Sequence, residues 1–167
     1  MNKTTTRLVI SGMLSALILV ITSIKLPWLG GYIHTGDGVI FLAATILPFP
    51  YSMIAAAVGG GLADLFGGYP MWILPTVIIK AIICLPFSHK AEKFLSLRNV
   101  IALAIANPSS IVLYAIATGI LNGGDNPITA ALAYVPGGIA QAVGSMALFL
   151  GIGIILDKTK LKKKLSS

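Results

Sequence analysis

One lysine lies deep inside an apolar stretch of this chain. Lys80 falls about nine residues into the segment Met71–Phe87, roughly 14 Å along a helix. A lysine at the centre of a membrane span costs on the order of 3 kcal/mol, so its side chain should face other helices and find a partner. Trp72 and Thr76 precede it at four-residue intervals and share its helical face. The pattern predicts either a structural ion pair, with Asp64 as the candidate partner, or a contact with a bound ligand.

A second set of polar residues follows helical spacing in the segment Val100–Leu121. We expect Asn107, which directly precedes Pro108, and Tyr114 to face a cavity. For Ser110 and Thr118 the expectation is hydrogen bonding between helices, which is common for these residue types in membranes.

The last apolar segment, Ile128–Leu156, presents Tyr134 and Gln141 on one face. Between them lies Pro136-Gly137-Gly138, which predicts a kink or local unwinding. Backbone groups freed by such a break need protein or a watery cavity around them, so this segment also points to a cavity.

The stretch from Gly30 to Asp37 joins the first two apolar segments and carries too many polar and aromatic side chains for a plain connector. Tyr32 and His34 are candidate ligand contacts. Asp37 is predicted to cap the N-terminus of the second helix.

No catalytic or metal-binding constellation is evident. The chain has no phosphate-binding loop, no G-x-S-x-G and no H-E-x-x-H sequence. Cys84 is the single cysteine, and His34 and His89 fall on opposite sides of the predicted bundle. The sequence therefore predicts no enzyme, no metal site and no cofactor.

Composition places the chain in the membrane class. Of its 167 residues 56% are hydrophobic and only 10% are charged, against about 25% charged in a soluble domain. The apolar runs are too long and continuous for barrel strands. We expect one integral membrane domain over residues 1–167, an all-α bundle of six transmembrane helices. The runs are Leu8–Leu26, Val39–Phe49, Tyr51–Phe66, Met71–Phe87, Val100–Leu121 and Ile128–Leu156.

The distribution of basic residues predicts the orientation. Ten of the twelve Lys and Arg residues lie in three polar stretches, at residues 3–7, 90–98 and 158–164. By the positive-inside rule these stretches and both termini are cytoplasmic, and the net charge of +7 reflects topology and lipid contact, not nucleic-acid binding. Residues 39–66 could form two full spans or one re-entrant hairpin; both leave the sidedness unchanged.

Small residues crowd the first and third segments. Close approach of helix backbones is typical of such faces. The partner could be another helix of this chain or a second membrane subunit. The candidate docking residues are Ser11, Gly12, Ser15 and Ala16.

Several of these motifs, in their order along the chain, resemble the S component of an energy-coupling factor (ECF) vitamin transporter. The resemblance rests on Gly31–Asp37, Ala63–Tyr69, Pro75–Lys80 and Pro136–Gln141. It implies a pocket near the outer face covered by the loop after the first helix. It also implies two kinds of partner, a transmembrane T component and two cytoplasmic ATPases, and a multi-pass protein of a prokaryotic cell membrane.

Two positions depart from the family pattern. Docking in the family uses Ala-xxx-Ala in the first helix, where this chain has Gly12-xxx-Ala16. Gly138 stands where many relatives have Asn.

We therefore predict a substrate-capture subunit for a small water-soluble vitamin or precursor. A pyridoxine-like or hydroxymethylpyrimidine-like ligand ranks first and riboflavin second. A self-sufficient secondary transporter or channel is the alternative, although no ion-coupling site or inverted repeat is evident. The predicted substrate contacts are Tyr32, His34, Asp64, Tyr69, Trp72, Thr76, Lys80, Asn107, Tyr114, Tyr134 and Gln141.

Overall fold

A computed structural model describes residues 2–28 and 31–159, with the backbone alone at residues 28, 31 and 32. The described chain is helical apart from one small hairpin, as predicted. Its elements are α1 (Lys3–Ser23), β1 (Leu26–Trp28), β2 (Gly31–Ile33), α2 (Gly36–Ile46), α3 (Tyr51–Phe66), a 3-10 turn (Pro70–Trp72), α4 (Ile73–Ile82), α5 (Leu97–Asn122) and α6 (Pro127–Lys158).

Three helices, α1, α5 and α6, are long and apolar enough to cross a membrane. The others are shorter: α2 has 11 residues and α4 has 10, about 16 Å and 15 Å of helix. A hydrocarbon core is about 30 Å thick. The short helices must therefore lie among longer neighbours that complete the apolar layer.

The short helix α2 occupies the interior. Every residue of α2 from Gly36 to Thr45 is buried, and the helix packs against α1, α3 and α6. Phe41 stacks on Phe87 with ring centroids 5.1 Å apart and meets Phe149 edge-on at 6.1 Å. A helix that is apolar all round is stable only when it is enclosed, which explains why α2 carries no polar stripe.

Small residues join α1 to α3 in parallel. The hydroxyls of Ser11 and Ser15 donate to the carbonyls of Tyr51 and Ala55, at 3.3 Å and 3.2 Å. A methyl group added at Gly59 would lie 2.7 Å from the Ser15 carbonyl oxygen. The glycines of α3 therefore serve packing within this chain.

This interface corrects half of the predicted docking set. Ser11 and Ser15 are buried against α3 and cannot face a second protein. Gly12 and Ala16 remain on the exposed side of α1.

The fourth helix ends earlier than its apolar run. The sequence predicted a segment to Phe87, but α4 stops at Ile82 and tight turns follow over residues 83–86. Pro86 explains the early end, because in a continued helix its ring would clash with the carbonyl group of Ile82, four residues earlier. Lys80 thus lies in the last turn of α4, not at the middle of a long helix.

Polar side chains connect the loop between α4 and α5 to the end of α6. The carboxylate of Asp157 accepts the backbone N–H groups of Phe94 and Leu95, at 2.7 Å and 3.0 Å. Asn99 bonds the backbone of Ser88 in both directions. The basic loop between α4 and α5 is thereby fixed where α6 ends. The lysines after residue 159 that contributed to the predicted orientation lie outside the described residues.

Candidate functional site

A cavity of about 400 Å³ opens at the end of the bundle where α1 and α3 terminate and α4 begins. This volume lies within the range of small-molecule sites. Its lining combines aromatic rings with hydroxyl, amide and charged groups. The residues are Thr22, His34, Asp64, Tyr69, Trp72, Thr76, Lys80, Tyr114, Thr118, Asn122, Tyr134 and Gln141.

The structure brings together all the predicted substrate contacts except Tyr32 and Asn107. The side chain of Tyr32 lies outside the described part of the structure. Asn107 is a correction, because its amide donates to the Leu103 carbonyl of its own helix at 3.0 Å and it does not line the cavity. This bond runs from the side chain to the backbone four residues earlier, so the amide lies along its own helix.

Three aromatic rings form a row along one wall. Tyr114 lies at the centre, with its ring 6.1 Å from Trp72 and 5.9 Å from Tyr134 between centroids. The Tyr114 and Tyr134 planes differ by only 29°. Such a row offers flat apolar surface to a planar ligand.

A glycine makes room for one of these rings. A methyl group at Gly138 would lie 2.8 Å from Cε1 of Tyr134. The absence of a side chain at Gly138 therefore lets the Tyr134 ring lie against its own helix. The predicted local unwinding does not occur, since α6 continues through Pro136 to Lys158.

Lys80 pairs with Asp37, which corrects two predictions. Its Nζ donates to Oδ1 of Asp37 at 2.5 Å, with only 2% and 4% of the two side chains exposed. Asp64 is not the counter-ion, and Asp37 does not cap α2: Thr35 occupies the cap position, and Asp37 turns inward. Asp37 is almost fully buried beside the ammonium, whereas Asp64 is only partly buried.

Two further groups complete this ion pair. Gln141 donates to Oδ2 of Asp37 at 3.4 Å, and Lys80 Nζ lies 4.8 Å from the centroid of the Tyr114 ring. The second contact is a cation–π interaction. The pair therefore ties α2, α4, α5 and α6 together beside the aromatic row.

Asp64 lies in the last turn of α3 and lines the cavity. Its Oδ2 is buried and has no hydrogen-bond partner within the described structure. The side chain of Thr76 interacts with the carboxylate, and the Tyr114 hydroxyl donates to Thr76 Oγ1 at 3.1 Å. A polar chain thus runs from the aromatic row to a carboxylate with one unused acceptor.

His34 lies outside the helices, between β2 and α2. Its Nδ1 accepts the backbone N–H of Gly36 at 3.2 Å. Burial and, secondarily, the positive charge of Lys80 lower the pKa of His34 from 6.5 to about 4. The imidazole is therefore neutral at physiological pH, in agreement with its role as an acceptor.

Sequence reasoning missed Thr22 and the role of Asp37. It placed Asn122 at the outer end of the polar stripe of the fifth segment without counting it as a contact, and it favoured hydrogen bonding between helices for Thr118. Thr118 does bond its own helix, at 2.8 Å to the Tyr114 carbonyl, yet it lines the cavity. Asp37 could have been found, because a buried lysine requires an acid and the chain has few acids. Thr22 carries no such signal, since it reaches the cavity only through the way α1 ends.

The lining has the composition of a small-molecule binding site. The described residues contain no group of His, Cys, Asp and Glu side chains that could hold a metal ion. Cys84 is buried outside the cavity lining. What the cavity offers is a stacking surface, a closed ion pair and several aimed polar groups, as in a small-molecule binding site.

A family model described as ECF-type riboflavin transporter, S component, matches residues 2–158. The chain belongs to this family. It is thus a substrate-binding S component of an ECF-type membrane transporter, as the sequence motifs indicated, and the family is not one of enzymes. A search of curated proteins returned no match.

The family description changes the ranking of ligands. It names riboflavin, which the sequence analysis placed second, and not a pyridoxine-like or hydroxymethylpyrimidine-like compound. The earlier ranking rested on ring stacking and polar contacts, which a flavin satisfies equally well. The self-sufficient transporter is not favoured either, because an S component works with partner subunits.

Proposed function

We propose that this S component captures riboflavin from the outer face of a cell membrane for uptake driven by a T component and two ATPases. The observation that carries the proposal is the row of Trp72, Tyr114 and Tyr134 along a cavity, in a chain of the riboflavin S component family. A tricyclic flavin ring is planar and apolar on both faces, which suits a cavity lined by these rings.

The electrostatics of the cavity suit a neutral ligand. The charge of Lys80 is balanced by Asp37, and His34 is neutral. An anionic ligand would therefore find no unpaired cation in these two groups, and the ammonium of Lys25 at the same end of the bundle lies against the ring of Tyr69. Riboflavin carries neutral carbonyl, imide and hydroxyl groups, which match the amide, hydroxyl and carboxylate groups of the lining.

The orientation follows from the basic residues. Lys3, Arg7, Lys90, Lys93, Arg98 and Lys158 all belong to the end of the bundle remote from the cavity. If that end is cytoplasmic, the cavity opens outward and both termini are inside. Six crossings would then require the short helices α2 and α4 to complete spans with their flanking turns.

The exposed face of α1 is the proposed contact with the T component. Gly12 and Ala16 lie between the exposed apolar side chains of Met13, Leu17 and Val20. Small residues in such a face allow a second helix to approach closely.

The ligand that accompanies the protein tests this function. The S component is purified in detergent without added vitamin, denatured, and the released small molecules are identified by mass spectrometry. We expect riboflavin in near-stoichiometric amount. Pyridoxine or hydroxymethylpyrimidine in its place would overturn the flavin assignment while leaving the family intact.

A further inference from the structure

Asp64 has an acceptor that nothing in the described protein uses. Its Oδ2 is buried without a hydrogen-bond partner. Within the described chain the one salt bridge joins Lys80 to Asp37, and the charges of Lys80 and Lys25 act on the Asp64 carboxylate without donating a hydrogen bond to Oδ2. A buried polar atom without a partner is unfavourable, so its retention at a cavity wall points to a partner that arrives with the ligand.

The position of Asp64 makes the unfavourable free energy of its unpartnered carboxylate oxygen larger. It lies in the last turn of α3, where the exposed carbonyl groups of a helix concentrate partial negative charge. A carboxylate is disfavoured there unless a donor faces it. A ligand with an N–H or O–H group would supply that donor, whereas a ligand with a carbonyl or phosphate there would be repelled.

The neighbours of Asp64 indicate which part of a ligand it meets. Tyr114 donates its hydroxyl proton to Thr76 Oγ1, so the proton of Thr76 remains available for the Asp64 carboxylate, with which that side chain interacts. Thr76 lies one helical turn after Trp72, whose ring is in the aromatic row. The carboxylate therefore lies at the edge of the surface on which a ring would stack.

We propose that Asp64 accepts a hydrogen bond from the imide N–H of the bound flavin and so selects ligands that carry a donor at that edge of the ring. The imide is the single N–H group of an oxidised flavin ring, which makes this contact chemically specific. The inference rests on the proposed flavin ligand and adds the residue, Asp64, that recognises its imide group.

Binding of three flavins to two proteins tests the assignment. The probes are riboflavin, N3-methylriboflavin, which lacks the imide proton, and lumiflavin, which keeps the imide but lacks the ribityl chain. Affinity is measured for the parent and for Asp64→Ala by quenching of flavin fluorescence. Asp125→Ala is the matched control, because Asp125 is an exposed acid in a loop outside the cavity lining.

We expect Asp64→Ala to weaken riboflavin and lumiflavin binding by the same factor, about ten- to a hundredfold, as for a lost hydrogen bond to a charged group. N3-Methylriboflavin should bind parent and variant with similar, weak affinity. Asp64→Asn, which keeps an amide oxygen as acceptor, should recover part of the loss, and Asp125→Ala should bind like the parent.

Three results would overturn the assignment: an equal loss for riboflavin and N3-methylriboflavin, an effect absent with lumiflavin, or unchanged riboflavin affinity in Asp64→Ala. A melting curve in detergent accompanies each titration, and the variant should melt no lower than the parent because an unpaired charge is removed. A parent protein that binds none of the three flavins would refute the proposed function together with this inference.

Discussion

Lys80 and Asp37 form a buried ion pair at the wall of the cavity, and the pair determines what the lysine can do. Its ammonium is held by a carboxylate and lies over the Tyr114 ring. Only 2% and 4% of the two side chains are exposed, although Lys80 also contributes to the cavity lining. Lys80 therefore acts first as a structural tie between α2 and α4, and any contact with ligand uses its remaining N–H donors.

Removing one charge of this pair should destabilise the protein. Lys80→Met leaves the Asp37 carboxylate buried and unpaired, which costs about 3–5 kcal/mol. The double variant Asp37→Asn/Lys80→Met removes both charges and should recover most of that loss. Thermal unfolding in detergent measures the difference. Equal melting temperatures for the parent and Lys80→Met would show that the pair contributes nothing.

The histidine beside this pair predicts a pH dependence. Its folded pKa of about 4 lies below the ordinary value of 6.5, so the unfolded chain binds a proton in that window and the folded protein does not. The stability due to neutral His34 is present above pH 6.5 and is lost as the pH falls toward 4. Protonation would also remove the acceptor for the Gly36 N–H.

His34→Gln should therefore show a shallower fall of melting temperature between pH 7 and pH 4.5 than the parent. Above about pH 7.5 the two proteins should share one slope, because His34 is then neutral in both the folded and the unfolded chain. If His34→Gln and the parent follow one curve down to pH 4.5, His34 does not hold a depressed pKa in the folded state.

Residue types at helical spacing made most of the cavity lining predictable. Trp72, Thr76 and Lys80 share one face in the sequence and line one cavity in the structure. The partner of Lys80 was not predictable from spacing, because Asp37 is 43 residues away and its choice over Asp64 depends on how α2 inserts into the bundle. The predicted cavity contact of Asn107 was not found for a local reason, since its amide donates to the Leu103 carbonyl of its own helix.

At the level of helices, α1 has two faces with different tasks. One face carries Ser11 and Ser15 against α3. The other exposes Gly12 and Ala16 among apolar side chains. The same small-residue pattern thus contains an internal contact and a free surface, a division that the sequence alone left open.

The free face predicts a separation of binding from transport. A side chain added at Gly12 meets no atom within 4 Å, so Gly12→Leu should fold and bind flavin like the parent. Its bulk would block close approach of the T component, and vitamin uptake in cells that express the complete transporter should be abolished.

Gly151→Leu is the matched control, because this exposed helical glycine also has open space around it and lies on α6. We expect normal uptake for Gly151→Leu. Normal uptake for Gly12→Leu would mean that the T component binds elsewhere.

Helix positions were predictable from hydrophobicity, and their ends less so. The early end of α4 depends on Pro86, and the hairpin of β1 and β2 falls where the sequence showed only a decorated loop. α6 shows the opposite case, since Pro136 and two glycines lie within a continuous helix. Packing of the Tyr134 ring against Gly138 accounts for this glycine better than unwinding does.

On the scale of the whole molecule, the basic loop and the cavity lie at opposite ends of the helix bundle. The basic loop between α4 and α5 is fixed to α6 by Asp157, whereas Asp125 lies in the loop beside the cavity end of α5 and α6. The positive-inside rule then predicts which end faces the cytoplasm.

Two single-cysteine variants test this orientation. In a background without Cys84, Asp125→Cys should react with an impermeant thiol reagent on intact cells. Glu92→Cys, an equally exposed acidic position in the basic loop, should react only after the cells are permeabilised. The reverse pattern would place the cavity on the cytoplasmic side.

Capture of riboflavin is the central claim, and direct titration tests it most directly. Ligand-free S component in detergent is added to riboflavin, and the fluorescence of the flavin is followed, because stacking on Tyr114 and its neighbours should quench it. We predict saturable quenching with one flavin per protein, and no displacement by excess pyridoxine or hydroxymethylpyrimidine. Absence of quenching at any protein concentration, together with unchanged dialysis equilibrium of the flavin, would contradict the account.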